Sequence, residues 1–361
     1  NSMTVRVSKP EFNLREKLSE LDISIGNHGS QLMKSSSPEE SFFLTQAGRK
    51  NHIINGSCII WQRANASIVQ TDFANYGCDR FWFANGATQV DRSTETPDKE
   101  GFTYSMKVTQ SSTAASIGQA IELTHGGNSQ FKPGQRYTLS VWAKTDSVEA
   151  TNLTFVAYYR NSKFSGTDQV NWQPSVNPFA GQITRKWKRF SCSFIAPEVN
   201  SNNTILALEF SFSATAYFTG FQFEEGDLTP FEYRTRAEEL AACQRYYQIH
   251  SGGSYGALGL TGRKSGNSNV EFNFILPHPL RGLSTGTWTN TNGIRMVRAS
   301  DGTAAVPTAV TVTGANTTSG NGVYSVINIV ADTTSFNTGD VILQYASGGS
   351  NNQKLEVDAE L

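Results

Sequence analysis

Charge is scarce in this 361-residue chain. Asp, Glu, Lys and Arg make up 17% of it, and 30 basic residues offset 31 acidic ones for a formal net charge of −1. Soluble proteins carry about 25% charged residues. Without a basic excess there is no field to hold a polyanion, so neither nucleic acid nor an anionic membrane is expected as a partner. Cysteine is scarce too. Cys58, Cys78, Cys192 and Cys243 stand far apart, which excludes paired CxxC zinc knuckles and a disulfide framework. They are expected as small buried apolar side chains, with Cys192 alternating with Phe190 and Phe194 on one strand face. No apolar run approaches the ~18 residues of a membrane-spanning helix, and the first residues have no signal-peptide core. Membrane insertion is therefore not expected.

Catalytic signatures are missing as well. There is no GxxxxGK[ST] loop, no GxSxG elbow and no HExxH pair. The glycine-rich stretch from Gly252 to Gly262 lacks the strand-then-helix setting of a phosphate loop. His28, His52, His125, His250 and His278 are scattered, with no spacing that favours a metal. Asp72, Asp79, Glu122, Glu209, Glu224 and Glu225 supply carboxylates that glycoside hydrolysis would need in a pair, but the sequence sets no separation between them. The run from Glu224 to Asp227 reads as a solvated strand end and turn, with a structural Ca²⁺ as the lesser reading. The expectation is a protein that is not an enzyme and has no cofactor.

What the chain does have is β-alternation. Tyr137 to Lys144, Leu153 to Tyr159, Phe190 to Phe194, Thr204 to Ser213 and Tyr217 to Phe223 all place apolar residues at every second position. Turn residues separate the runs: Lys132-Pro133-Gly134, Asp146-Ser147, Pro197-Glu198 and Asn200 to Asn203. Many short strands with regular turns point to a sandwich or jelly roll. The fold class is therefore all-β with a short helical N-terminal segment: a jelly-roll β-sandwich followed by a smaller C-terminal β-sandwich. Residues 1–50 carry two short capping-box helices, too short to be stable alone. Residues 51–234 form the jelly roll and 235–250 a junction helix, opened by the Thr235/Glu238 capping pair with Leu240, Cys243 and Tyr247 on one face. Residues 251–361 form the distal domain, with Val323–Ala331 and Asp340–Tyr345 as strands.

Aromatic residues suggest where a ligand sits. Tyr158, Tyr159, Phe164, Trp172 and Phe179 cluster in and after one strand, and the segment from Arg160 to Gln182 is long and polar. Long polar loops of this kind often carry function. Aromatic rings beside guanidinium, carboxylate and amide groups suit a sugar, whose C–H face stacks while its hydroxyls take hydrogen bonds. The candidate site is Trp172, Tyr158 and Phe164 as stacking rings, with Arg160 and Asp168 as hydrogen-bonding partners.

Several runs, in order, carry a resemblance. They are GRKNHIING from Gly48 to Gly56, IWQR from Ile60 to Arg63, CDRFW from Cys78 to Trp82, YTLSVWAK from Tyr137 to Lys144 and WKRF from Trp187 to Phe190. FQFEEG from Phe221, TPFE from Thr229, EELAACQRYYQ from Glu238 and the ending DAEL from Asp358 follow. Together they resemble tail fibres and related virion proteins of tailed bacteriophages, which hold a jelly roll similar to carbohydrate-binding modules. The leader from Lys9 to Asp22 is similar to the attachment segment of such fibres. The resemblance spans about residues 1–250 and is weaker beyond. Ala64 stands where Gly often follows WQR, and Cys58 replaces an acidic or polar residue, so a calcium site of related modules is not carried over. The resemblance implies a homotrimeric fibre, made in the host cytoplasm and carried on the virion. Its N-terminal segment docks on a phage tail or head protein, and it adsorbs to host surface polysaccharide. A purely structural head or collar fibre and a capsule depolymerase are the alternatives. The distal domain, near Tyr255 or Trp288, is a second place for the receptor site.

Overall fold

A computed structural model describes residues 50–63, 67–71, 74–98, 100–123, 130–161, 170–171, 182–251, 258–266, 268–282, 285–289, 294–314, 324–346 and 354–360. Contacts divide the chain into Asn1–Lys50 and Asn51–Leu361. The two helices expected in the leader, and its attachment role, lie outside the described residues.

The first sandwich is built from eleven strands. They are β1 (Ser67–Val69), β2 (Ala74–Tyr76), β3 (Trp82–Ser93), β4 (Ser105–Glu122), β5 (Arg136–Thr145), β6 (Thr151–Arg160), β7 (Val170–Asn171), β8 (Gln182–Ile183), β9 (Lys188–Ile195), β10 (Ile205–Phe212) and β11 (Ala216–Glu225). The hydrogen-bonded order is β7-β6-β10-β4-β11-β5-β9, with β3 also on β4. The 18-residue β4 joins the two layers. Its C-terminal half pairs with β10, its N-terminal half with β11. Register shifts in β3 beside Ala87 let the paired strands bend between layers.

Period-two alternation turns Leu153, Phe155, Ala157 and Tyr159 of β6 inward with Leu206, Leu208, Phe210 and Phe212 of β10. They meet Leu139, Val141, Phe190, Cys192, Phe194, Phe218, Phe221 and Phe223 from the other layer. Rings interlock across the gap: Phe155 stacks on Phe194 at 5.8 Å, and Phe210 meets Phe221 edge-on at 5.4 Å. Each such buried ring contributes roughly 1.5–3 kcal/mol of hydrophobic stabilisation. All four cysteines are free and buried, and Cys192 sits between Phe190 and Phe194 as its alternation indicated.

Glu224 corrects one expectation. Instead of ending a solvated strand it is 0% exposed, accepting hydrogen bonds from Thr229 N (3.0 Å), Thr229 Oγ1 (2.5 Å) and Gln222 Nε2 (2.8 Å). A carboxylate folded back onto its own turn needs no water.

The segment before β1 clasps the sandwich. Asn55 adopts a left-handed φ of 60°. Its amide donates to Ile60 O (2.9 Å) and Asp79 O (3.0 Å) and accepts from Ile60 N (3.0 Å). A side chain at Gly56 would run into the carbonyl of Phe221. Residues 51–56 of the GRKNHIING run are thus a backbone clasp on β11.

Helix α1 spans Arg236–Gln244, and Thr235 and Glu238 cap it reciprocally as the spacing indicated. It ends sooner than expected. Tyr247–Ser251 is strand β12, paired with β21 (Lys354–Asp358). The backbone groups of Tyr247 onward have a ladder partner there, which outweighs one more helical turn. The buried helix residues are Glu239 and Cys243, not Leu240. Glu239 accepts from Asn55 N at 2.7 Å, tying the helix to the clasp.

The distal strands are β13 (Thr261–Lys264), β14 (Asn269–Leu280), β15 (Thr285–Thr289), β16 (Ile294–Arg298), β17 (Ala304–Ala305), β18 (Val310–Gly314), β19 (Tyr324–Asp332) and β20 (Val341–Ala346), followed by β21. They form a seven-stranded sheet, β17-β16-β20-β13-β14-β19-β18, and with β12 a three-stranded one, β12-β21-β15. A separate core of Val270, Phe272, Leu280, Met296, Ile342, Leu355 and Val357 lies within this part.

Candidate functional site

The layer made by β3, the second half of β4, β10 and β6 has one face in the core and one turned away from it. Antiparallel register sets side chains on that second face in rows. Thr154 of β6 lies opposite Ser211, which lies opposite Ser116, which lies opposite Ala84. The next row runs Val156, Glu209, Gly118, Trp82. A third holds Tyr158, Ala207 and Ala120.

The rows are chemically distinct. In the first, Asn85 at φ 58° donates its amide to Ser116 Oγ (2.9 Å), and Ser116 and Ser211 share a hydrogen bond at 3.2 Å. In the second, Gly118 leaves a gap that Trp82 fills, because a Cβ there would strike the indole. Tyr158 reaches across from the third row to donate to Glu209 Oε2 at 2.6 Å. The guanidinium of Arg160 lies over the Tyr158 ring at 3.8 Å. Trp82, Ser116 and Tyr158 are buried, Glu209, Ser211, Thr154 and Arg160 half-buried, and Asn85 exposed. Burial, then the charge and hydrogen bond of Glu209, push the Tyr158 hydroxyl above its ordinary pKa, against the opposing effect of Arg160. Tyr158 therefore stays a donor at neutral pH. This face offers hydroxyls, a carboxylate, an amide and a guanidinium beside an indole edge. It suits a polyhydroxylated ligand.

Of the residues expected to bind, Trp172, Phe164 and Asp168 lie outside the described residues. Tyr158 and Arg160 are brought together on this face, but Tyr158 is only 3% exposed. The expected free stacking ring is corrected: one face of it carries Arg160 and its hydroxyl is committed to Glu209. The sequence reading missed Trp82, Ser116 and Ser211 as members of one face. It met Glu209 only as one carboxylate among several. The signal that could have found them is the β10 alternation itself, since Leu206, Leu208 and Phe210 in the core place Ala207, Glu209 and Ser211 on the opposite face, where Ala207 is itself buried. Among the other expected positions, Tyr255 lies outside the described residues, and Trp288 sits in β15 opposite Leu355. Among the described residues, no group of three or more His, Cys, Asp or Glu side chains is placed to hold a metal ion.

The Carbohydrate binding domain family matches residues 65–215, which contain all of these rows. No curated protein matches the chain significantly. Among solved structures, the chain is similar to the CBM22-1 xylan-binding domain from Paenibacillus barcinonensis Xyn10C, at 14% identity and TM-score 0.32, covering 51% of this chain and 100% of that one. It is similar to the tandem CBM22-1-CBM22-2 domain of the same protein, at 13% identity and TM-score 0.30, over 83% of this chain and 100% of that one. The enzymatically active domain of bacteriophage CBA120 tailspike protein 4 is similar at 15% identity and TM-score 0.29. That match covers 49% of this chain and only 21% of the tailspike chain. The first sandwich is thus a jelly roll of the carbohydrate-binding-module type, and its outward face is the candidate site.

Proposed function

We propose that this chain is a tail-fibre or related appendage protein of a tailed-phage virion that adsorbs to host surface glycan through the Trp82–Glu209–Arg160 face. The carrying observation is that the family match over residues 65–215 encloses a sheet face with sugar-type chemistry. The phage assignment rests on the ordered runs from Gly48 to Gln248 and on the leader from Lys9 to Asp22. On this reading residues 1–50 dock on the tail or head, the chain is a homotrimer, and its partner outside the virion is polysaccharide. Three weak sites on one fibre, and several fibres per particle, raise avidity with no new contact. The protein binds and does not cleave.

The test is binding of the purified full chain to host cells and to extracted surface polysaccharide. Saturable binding that falls at least about tenfold in Glu209→Ala and Arg160→Ala variants supports the reading. Equal binding by parent and variants removes this face as the site. Absence of any glycan binding favours a structural appendage, and new reducing ends in the polysaccharide a depolymerase.

A further inference from the structure

Every strand of the first sandwich longer than three residues has strand partners on both sides, with one exception among the described residues. β9 has β5 on one side and no strand on the other. The ladder shows which of its backbone groups are left over. Ala196 N donates to Gln135 O at 2.9 Å, and Gly226 N donates to Arg136 O at 2.8 Å. The backbone of Ala196 therefore points to β5, and that of Arg136 points to β11. Alternation then turns the N–H and C=O of Phe190, Cys192 and Phe194 towards β5. It leaves those of Arg189, Ser191, Ser193 and Ile195 on the open edge. Among the described residues nothing bonds to these edge groups.

An open edge is a template for another strand, and natural sheets blunt theirs with proline, bulges, inward charges or very short strands. β9 has none of these devices. It runs for 8 residues without proline or glycine, in unbroken register on β5. Its charges, Lys188 and Arg189, stand at one end only. Ser191, Ser193 and Ile195 are exposed, Ile195 by 54%.

The strand also fits itself. Antiparallel pairing about Cys192 sets Ser191 opposite Ser193, Arg189 opposite Ile195 and Phe190 opposite Phe194. This is the one antiparallel register that uses all of the edge residues Arg189, Ser191, Ser193 and Ile195. Ser191 of one copy and Ser193 of the other then exchange both backbone bonds. Hydroxyls meet hydroxyls on the outer face and rings meet rings on the core side, which are favourable cross-strand pairs. The two Arg189 side chains fall about 20 Å apart along the ladder, so no like charges face each other.

We infer that β9 is an association surface for a second copy of this chain, through a two-fold antiparallel pairing centred on Cys192. The sheet runs on from one copy into the next, and the same strand serves both sides of the contact. The contact is separate from the glycan face on the other layer. It is also distinct from the threefold association of the proposed fibre, and joins in pairs whatever unit that association makes.

The experiment is light scattering on the purified full chain and three variants. The Ser191 N–H faces the open edge, so Ser191→Pro removes a bond to the second copy and none to β5. The parent is expected at about twice the mass of this variant, whether the halved species is one chain or a trimer. Circular dichroism checks that the fold is kept. Two double variants on the exposed face test the register itself. Ser191→Lys with Ser193→Lys sets like charges opposite each other and is expected to halve the mass. Ser191→Lys with Ser193→Glu sets opposite charges together and is expected to keep the parent's mass. Equal masses for the parent and a folded Ser191→Pro, or for the two double variants, overturn the inference. Loss of polysaccharide binding in the sheet-face variants leaves these masses unchanged, so the two readings fail separately.

Discussion

Arg80 and Glu360, 280 positions apart, form an ion pair whose side chains are 1% and 3% exposed. Arg80 also donates to Ala120 O at 2.6 Å and lies over the ring of Tyr246 at 3.4 Å. Arg63 joins from the side, 3.1 Å from Asp358 and 3.4 Å from Glu360. Burial works against the charged form of Arg63, but Glu360 and Asp358 more than offset it and hold its pKa above the ordinary value. The runs that carried the resemblance, WQR, CDR and QRYYQ, thus meet Asp358 and Glu360 at one joint between β4, the end of α1 and the end of β21. Their order along the chain reflects a fastening point as much as a ligand.

Removing one partner of such a pair strands the other charge in the interior. Glu360→Ala and Arg80→Ala are each expected to destabilise the protein by about 3–5 kcal/mol. The double substitution Arg80→Met with Glu360→Leu is expected to cost less than the sum of the two, because it leaves no orphaned charge. Urea titrations of the four proteins check this. Additive losses would mean that the pair does not act as a unit.

His52 sets an acid limit. Its imidazole packs edge-on to Phe131 at 4.9 Å, and its folded-state pKa is about 4 against an ordinary 6.5. Burial is the main cause, then the charge of Arg234, with Glu232 opposing. The folded pKa lies below the unfolded one, so the unfolded chain binds the proton first. Stability is full above about pH 6.5 and falls as pH drops towards about 4, by roughly 3 kcal/mol in all. Below about pH 4 both states are protonated and this loss levels off. His52→Phe is expected to flatten that slope in denaturation curves taken between pH 4 and 7.

Much of this architecture was legible in the sequence. Alternation located the strands, because a half-buried strand must repeat every two residues, and the Thr235/Glu238 spacing located the start of α1. Its end was not legible. Whether Tyr247 continues a helix or opens a strand depends on β21, more than a hundred residues later, which no local pattern contains. The site was only partly legible for the same reason. Tyr158 reads as an aromatic beside a polar loop, but its burial depends on Glu209 and Arg160 arriving from its neighbours in the sheet. Gly118 carried no signal at all until Trp82 lay over it.

That gap makes a steric prediction. A methyl at position 118 would collide with the Trp82 indole and with the carbonyl of Leu208, one of them a rigid backbone atom. Gly118→Ala is expected to destabilise by about 1–3 kcal/mol. It should also move the indole, seen as a shift in tryptophan fluorescence. The control is Gly134→Ala, where a Cβ meets nothing within 4 Å but φ is +79°, so the strain there is conformational and leaves the fluorescence alone.

Glu209 and Tyr158 separate stability from binding. Glu209→Leu removes the acceptor of a buried phenol, and the stranded hydroxyl is expected to cost about 1–3 kcal/mol. Pairing it with Tyr158→Phe removes the donor as well, so the double variant should recover most of that loss. On the proposed function polysaccharide binding should not recover, because there the carboxylate is assigned to the ligand hydroxyls. Melting curves and binding isotherms on Glu209→Leu, Tyr158→Phe and the double variant decide the matter. If the double variant regains both stability and binding, Glu209 serves only to hold Tyr158 in the sheet, and the ligand contacts must come from elsewhere on the chain.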